Sequence, residues 1–148
     1  MSTINEDLLL IGVGGGAARF VSETVRKTDV GIRAVVFDGD IATQECCPAE
    51  VDFRLLGEGR LEGRGTGGES IKGRSAVQDD AELVKGALGN ARLAVVVISL
   101  GGGFGSGAAP EILNILREHG ITIFCVTTLP FEFEGSSRMQ MARKHLAL

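Results

Sequence analysis

The sequence predicts an α/β protein, a three-layer sandwich in which helices cover both faces of a mostly parallel sheet. Short apolar runs alternate with longer amphipathic segments along the chain, as strands alternate with helices in βαβ units. Two of these apolar runs end directly in glycine-rich stretches that lead into helical patterns. The chain of 148 residues fits one domain, for which ~100–200 residues is usual, and it can bury a core without disulfides or metal. We therefore expect a single domain over residues 1–148.

The first half of the chain predicts three strands and one helix. Residues 8–13 form a continuous apolar run, which is typical of a buried parallel strand. Residues 15–28 carry apolar side chains at helical spacing. A second strand is predicted over 32–37, and the alternation of apolar and charged residues over 51–55 predicts a short, half-exposed third strand. Residues 57–73 hold 7 glycines in 17 positions and are predicted to form a flexible loop.

The second half predicts a helix, a strand, a glycine loop, a helix, a strand and a last helix. In chain order these segments are 75–88, 93–100, 101–107, 108–119, 121–127 and 136–148. Gly89 and Gly120 follow two of the helices, where glycine commonly ends a helix. Ligands of parallel α/β sheets bind at the carboxyl ends of the strands, and both glycine-rich strand–helix junctions are predicted to lie there.

The composition excludes several classes of function. The formal net charge of −4 argues against nonspecific nucleic-acid binding, which needs a basic surface. No apolar run approaches the ~20 residues of a membrane span, and the N-terminus lacks the features of a signal peptide. We therefore expect a cytoplasmic protein without direct membrane insertion. Three cysteines without a CxxC spacing predict reduced thiols, and two histidines give no metal site.

The first glycine-rich stretch reads Gly-Val-Gly-Gly-Gly-Ala over residues 12–17. Glycine allows a sharp turn and a close approach of the backbone to a ligand. The free N–H groups at the start of the following helix, together with its dipole, suit a phosphate. The stretch also fits the GxGxxG/A dinucleotide motif, with Asp38 at the position of an acidic ribose ligand. A dinucleotide site of NAD type and a tight turn without ligand both remain alternatives.

The second stretch, from Gly101 to Gly107, has 5 glycines in 7 positions and again joins a strand to a helix. Two such junctions side by side would surround a di- or triphosphate with backbone donors. The Gly-Lys dipeptide of the P-loop is absent from the sequence, and so is the GxSxG nucleophile elbow.

Three motifs resemble the nucleotide-binding half of FtsZ, the bacterial relative of tubulin. They are Gly12–Gly16, the GGGFGSGAAP segment at 101–110 and the TLPFEFEGSSRM segment at 128–139. The resemblance implies a Rossmann-like fold of the tubulin/FtsZ nucleotide-binding type. It also implies GTP or GDP as the cofactor, with Mg²⁺ bound through the nucleotide. It further implies a filament-forming ancestry, and with it self-association into a homodimer or larger assembly, or pairing with a related FtsZ-like chain.

The resemblance also assigns site residues by position. It implies that Glu134 accepts hydrogen bonds from the ribose hydroxyls, that Arg138 lies against the nucleotide and that Asp40 ends the loop after the second strand. An exposed ion pair between Glu134 and Arg138, one helical turn apart, is the alternative. The residues placed at the phosphates are Gly14, Gly15, Gly16, Gly101, Gly102, Gly103, Phe104, Gly105, Ser106 and Gly107. No catalytic residue is assigned.

Several departures from the family pattern, Ala17 in place of a glycine and Leu129 in place of a lysine among them, weaken the case for tight GTP binding. Phe104 stands where the family has threonine, so that a hydroxyl near the phosphates is lost. Arg19 replaces an asparagine of the first loop. Glu69, with the serine that follows it, replaces an Asn-Pro pair, and a carboxylate near the terminal phosphate would repel it.

We expect a guanine-nucleotide-binding module that does not hydrolyse GTP alone. The family's acidic loop that positions the attacking water, and its second domain, find no counterpart before Leu148. A degenerate structural or assembly module without nucleotide, a GTPase completed by a partner chain, and the dinucleotide-binding enzyme are the alternatives. The fifth predicted strand would lie at a sheet edge with apolar side chains uncovered, which favours self-association.

Overall fold

A computed structural model describes residues 5–147 and places five parallel strands in one sheet. The strands are β1 (Asn5–Val13), β2 (Ile32–Asp38), β3 (Val51–Leu55), β4 (Leu93–Ser99) and β5 (Thr122–Thr128). Their order across the sheet is β3-β2-β1-β4-β5. At the centre, Gly12 of β1 lies opposite Val36 of β2 and Val97 of β4. The predicted parallel α/β sheet is confirmed.

Within residues 5–147, helices and 3-10 turns connect the strands, and a 3-10 turn and one helix follow β5. The helices are α1 (Gly15–Lys27), α2 (Glu58–Leu61), α3 (Ser70–Asp79), α4 (Ala81–Leu88), α5 (Gly103–Glu118) and α6 (Ser136–Leu146). The 3-10 turns span Ile41–Cys46 and Glu132–Glu134.

Alternate residues of the strands bury against opposite layers, which makes the fold a three-layer sandwich. On one face Leu9, Ile11 and Val96 pack with residues of α3, α4 and α5. On the other face Leu10 and Val36 pack with residues of α1. Strands buried on both faces read as continuous apolar runs, and this is the pattern of β1 and β4 in the sequence.

The prediction of a flexible loop over 57–73 and of one helix over 75–88 is wrong. The segment contains the single turn α2, and α3 begins at Ser70. The helical region then breaks at Asp80, which lies between α3 and α4. The Asp80 carboxylate accepts a hydrogen bond from the Gly57 N–H at 2.6 Å. This contact ties the start of the segment to the break between the two helices.

Helix α5 begins five residues before the predicted start at 108, so most of the second glycine stretch is helical rather than a loop. Glycine is a poor helix former, but tertiary packing overrides the propensity here. The α3 and α5 backbones touch, and a Cβ on Gly73 would lie 2.9 Å from the Phe104 carbonyl oxygen. A Cβ on Gly107 would lie 2.6 Å from the Ser70 carbonyl carbon.

Strand β5 forms one edge of the sheet, as predicted. Its Phe124 side chain is 63% exposed, and Cys125 is also exposed. Helix α6 packs on α5 and buries Ala142. None of the helices within residues 5–147 has the length and hydropathy needed to cross a membrane.

Candidate functional site

A cleft of about 820 Å³ opens at the carboxyl ends of the strands. Its lining comes from four places: the start of α1, the end of β2, the segment Arg64–Gly67, and the junction from β4 into α5. Residues from Thr128 to Arg138 complete the remaining side. The position agrees with the rule that ligands of parallel sheets bind at the carboxyl ends of strands.

The N-terminus of α1 faces the cleft without a capping side chain. Gly14 adopts a φ of 92° at the N-cap, a conformation that side-chain-bearing residues rarely take. The first internal hydrogen bond of the helix runs from the Ala18 N–H to the Gly14 carbonyl at 2.9 Å. The amides of Gly15 and Gly16 therefore have no acceptor within the helix, and they suit an anion.

The N-terminus of α5 borders the same cleft and also lacks a capping side chain. Its first internal bond runs from the Ser106 N–H to the Gly102 carbonyl at 3.3 Å, so the amides of Gly103, Phe104 and Gly105 have no helical acceptor. Two helix dipoles thus present their positive ends to one space, an arrangement that suits a polyphosphate.

Phe104 lies at the start of α5, and its side chain is buried in the core beside the cleft. The side chain is 5% exposed and belongs to the core under α5. One ring carbon lies 3.2 Å from the position that a Cβ on Gly39 would occupy. From the sequence, phenylalanine at position 104 is expected to remove a hydroxyl from the phosphate site. In the structure its side chain packs in the core.

The Glu69 carboxylate is paired with the Lys72 ammonium at 2.6 Å. Glu69 is the N-cap residue of α3 and does not belong to the cleft lining. The pairing offsets part of the negative charge that was expected to repel the terminal phosphate.

Asp38 lies at the cleft, but other groups of the protein already donate hydrogen bonds to its carboxylate. The residue is 4% exposed, and its oxygens accept hydrogen bonds from the Thr43 hydroxyl at 2.6 Å and the Gly39 N–H at 2.7 Å. Burial raises the pKa of the Asp38 carboxyl, while these two hydrogen bonds lower it in part. A buried carboxyl with both oxygens engaged does not favour the ribose role of the dinucleotide alternative.

Asp40 lines the cleft and orders the turn that follows β2. Its carboxylate accepts a hydrogen bond from the Ala42 N–H at 2.9 Å and so caps the 3-10 turn. Its backbone pairs with that of Arg64 in an isolated antiparallel bridge. Asp40 therefore joins the Arg64–Gly67 segment to the end of β2.

Glu134 and Arg138 lie together in the cleft lining, in the part of the chain that follows β5. Glu134 accepts a hydrogen bond from the Phe131 N–H at 2.6 Å and pairs with the Arg138 guanidinium at 3.3 Å. The Arg138 side chain is 60% exposed. The ion pair considered as an alternative is present, and both partners also line the cleft.

The structure brings most of the predicted site residues to one cleft. Those in its lining are Gly14, Gly15, Gly16, Asp40, Gly102, Gly103, Phe104, Gly105, Glu134 and Arg138. Gly101, Ser106 and Gly107 lie outside the lining. The buried Ser106 hydroxyl accepts a hydrogen bond from the Gly101 N–H at 3.0 Å, so these two residues stabilise the junction from within.

The sequence did not single out Thr43, Arg64, Thr66 or Ser99, which also line the cleft. Ser99 had a signal, since it is a polar residue at the end of the most apolar strand. Arg64 and Thr66 lay in the segment predicted to be a flexible loop. Thr66 is 6% exposed, so this part of the segment is packed.

The described residues 5–147 contain no group of three or more His, Cys, Asp or Glu side chains that could hold a metal ion. The donor set of the cleft, backbone amides with a few carboxylates engaged elsewhere, fits an anion better than a bare cation. Binding of Mg²⁺ through a nucleotide stays a prediction.

The model of the Tubulin/FtsZ family, GTPase domain, matches residues 7–147. Cell division protein FtsZ of Buchnera aphidicola subsp. Schizaphis graminum is 34% identical over 139 residues, covering 93% of this chain and 36% of that protein. The chain thus spans about a third of the length of the curated relatives it matches.

Two solved structures share the fold. An empty FtsZ dimer of M. jannaschii superposes with a TM-score of 0.88 at 28% identity, covering 95% of this chain and 41% of that one. CetZ2 from Haloferax volcanii, a protofilament bound to GTPγS, gives a TM-score of 0.84 at 28% identity, covering 95% and 45%.

Proposed function

Because the chain belongs to the Tubulin/FtsZ family, we propose that its cleft binds a guanine nucleotide, GTP or GDP. The observation that carries the proposal is the meeting of two uncapped helix N-termini at one cleft beside Arg19 and Arg138. This geometry supports binding of the phosphates, and membership of the family supports guanine as the nucleobase. The structure of CetZ2 with GTPγS supports the same assignment. We also propose that residues 1–148 act as one domain, in the cytoplasm.

Two features of the structure bear on the competing hypothesis of an assembly module without nucleotide. The Phe104 ring fills the core rather than the space for the phosphates. The Glu69 charge is offset in part by Lys72.

We propose further that the isolated chain holds GTP without hydrolysing it. Hydrolysis needs a group that orients the attacking water, besides stabilisation of the phosphates. The carboxylates in the cleft lining accept hydrogen bonds from protein donors: Asp38 from Thr43, Asp40 from Ala42 and Glu134 from Phe131. Phosphate release above the uncatalysed background, in a preparation free of contaminating GTPases, would contradict this proposal.

Nucleotide binding is readily measured because the chain has no Trp and no Tyr. Bound guanine nucleotide would dominate the ultraviolet spectrum near 260 nm. Thermal unfolding with GTP, GDP or ATP then separates guanine binding from general phosphate binding. GTP or GDP in hundredfold excess over Kd should stabilise the fold by ~2.7 kcal/mol. A chain that carries no 260-nm band and gains no stability from either nucleotide binds none.

A matched pair of variants on α6 tests the site itself. Arg138→Ala removes a cation from the cleft, and the expected loss of nucleotide affinity is about tenfold, equivalent to one charge-assisted hydrogen bond. Arg143→Ala removes the same charge further along the helix, outside the cleft lining. Equal affinities for the two variants would show that the nucleotide binds elsewhere.

We propose in addition that the chain self-associates through the β5 side of the molecule. Apolar side chains are exposed there: Phe124 by 63%, Leu129 by 48%, Phe131 by 67% and Phe133 by 85%. The rings of Phe131 and Phe133 stack at 5.2 Å. Apolar surface of this kind marks interfaces in soluble proteins. Relatives described as a dimer and a protofilament support an assembly.

Light scattering at tens of micromolar tests the assembly. A homodimer should bury at least ~1,000 Å² in total. Phe124→Glu should shift the population toward monomer, because a buried unpaired charge is strongly unfavourable. Ile71→Glu is the control, since Ile71 is 69% exposed on α3 and does not belong to β5 or to the segment that follows it. A monodisperse monomeric wild type would contradict the proposal.

A further inference from the structure

Two adjacent thiols, Cys46 and Cys47, end the 3-10 turn that follows β2. Both sulphur atoms approach the same acceptor, the Thr43 carbonyl oxygen, at 3.1 Å from Cys46 and 3.7 Å from Cys47. The two thiols therefore converge on one side of the turn, although side chains of neighbouring residues often diverge. Both are half-buried, so that a small solute can reach them.

A buried hydroxyl without a partner lies against this pair. Ser22 of α1 is 0% exposed, and its Oγ has no hydrogen-bond partner within the described part of the chain. It is close enough to the Cys47 thiol to lower its pKa, although burial acts more strongly and raises that pKa. A fully buried unpartnered hydroxyl is uncommon, because it forfeits hydrogen bonds to water. Here it lies beside the Cys47 thiol.

The surrounding structure holds the pair in place. The Arg26 guanidinium donates a hydrogen bond to the Cys46 carbonyl at 3.0 Å, and the Cys47 N–H donates to the Gln44 carbonyl at 3.0 Å. Both cysteines pack against the apolar cluster beneath α1. A rigid pair of soft donors loses little conformational freedom when both bind one ion.

We propose that Cys46 and Cys47 form a dithiol site for a soft, thiophilic ion, with the Thr43 carbonyl and the Ser22 hydroxyl as its oxygen neighbours. Thiolates select soft ions. No third cysteine or histidine joins them within residues 5–147, since no metal-binding cluster of three occurs there. The site therefore suits centres that two sulphurs satisfy, such as monovalent copper or a trivalent arsenic that keeps one organic substituent, rather than tetrahedral zinc.

Phenylarsine oxide is the probe. Two S–H bonds break, two S–As bonds form, and the arsenic-bound oxygen leaves as water, so no oxidant or reductant is required. Cys125→Ser, which retains only the adjacent pair, should take up one phenylarsenic group per chain by intact-mass spectrometry. The adduct should persist in excess 2-mercaptoethanol, because a monothiol can replace only one of the two S–As bonds at a time. It should disappear with dithiothreitol, because a dithiol can replace both bonds.

Cys46→Ser and Cys47→Ser provide the comparison. Each should lose about a hundredfold in affinity, since the second sulphur then no longer binds intramolecularly. Circular dichroism of each variant checks that the fold persists. The proposal would be overturned if 2-mercaptoethanol removed the phenylarsenic group from Cys125→Ser as readily as it removes one from a single thiol. This test does not depend on whether the two other serine variants fold. Equal affinities of wild type and the two variants would overturn it as well.

Discussion

The two glycine-rich junctions look alike in sequence, but Gly15 of the first and Gly107 of the second differ in what they approach. At the first junction, Gly15 meets only ordinary contacts, with Thr43 and Asp38 atoms 3.6 and 3.7 Å from the position of a Cβ. Its missing side chain leaves space open toward the cleft. At the second junction, a Cβ on Gly107 would overlap the α3 backbone. That missing side chain makes room for another part of the protein.

The comparison teaches that glycine density marks close approach without showing the direction of that approach. Gly105 illustrates this, since a Cβ there would lie 3.2 Å from the Val13 carbonyl oxygen and would collide with the end of β4. The same residue offers its amide to the cleft. At the second junction, the glycines therefore allow α5 to pack closely against its neighbours. Their second contribution is the backbone, which borders the cleft.

The largest expected effect is that of Gly107→Ala. The added methyl group would overlap the Ser70 carbonyl, which is backbone and cannot rotate away. Overpacking typically costs 1–3 kcal/mol, and a backbone neighbour places this change at about 3 kcal/mol or more. Urea unfolding measures the loss of stability.

Gly86→Ala is the matched control for that change. Gly86 lies in α4, is exposed, and nothing stands within 4 Å of the position of its Cβ. Alanine there should stabilise the fold by about 0.5–1 kcal/mol through helix propensity. If both substitutions were neutral, the close approach of α3 and α5 would be refuted.

The next effect is that of Phe104→Thr at the second junction. It restores the hydroxyl of the family pattern but removes a ring that is 5% exposed. Loss of a buried aromatic side chain destabilises by about 3–5 kcal/mol when alanine replaces it, and we expect about 3 here. Nucleotide affinity, measured by titration on the folded fraction, should change less than stability. Higher affinity with unchanged stability would place the ring in the site.

Gly15→Ala should reverse this pattern at the first junction. The methyl group fits without a clash, so stability should change by less than about 0.5 kcal/mol. The same group stands before the amides that would bind phosphate, and we expect nucleotide affinity to fall about tenfold. Isothermal titration against GDP, paired with urea unfolding, separates the two quantities. A large loss of stability would remove the contrast between the junctions.

The smallest effect concerns the charge of Asp38, beside the first junction. Burial raises its pKa in the folded state above the unfolded value. Its contribution to stability is therefore fully present below the unfolded pKa and is lost as the pH rises through the folded pKa. Asp38→Asn should be more stable than wild type at neutral pH, with the difference vanishing in acid. Urea midpoints at several pH values measure this, and a difference that grows in acid would contradict it.

The sheet and the position of the site could be predicted from sequence, because both depend on local patterns. Continuous apolar runs mark β1 and β4, and each leads into glycines at the carboxyl end. The start of α5 could not be predicted, since helix propensity opposes it and only the approach of Gly73 to α5 allows it. The engagement of Asp38 by Thr43 depends on a turn whose geometry the sequence does not display.

The segment Arg64–Gly67 lines the cleft, and hydrogen bonds hold it in place before any ligand binds. The Gly65 N–H donates to the Gly39 carbonyl at 3.0 Å, and the Ile41 N–H donates to the Gly63 carbonyl at 3.0 Å. Thr66 is packed where Gly103 has no side chain. A preformed cleft loses little conformational entropy on binding. Association should then be a single bimolecular phase whose rate rises linearly with ligand concentration, without the plateau that a slow closing step imposes.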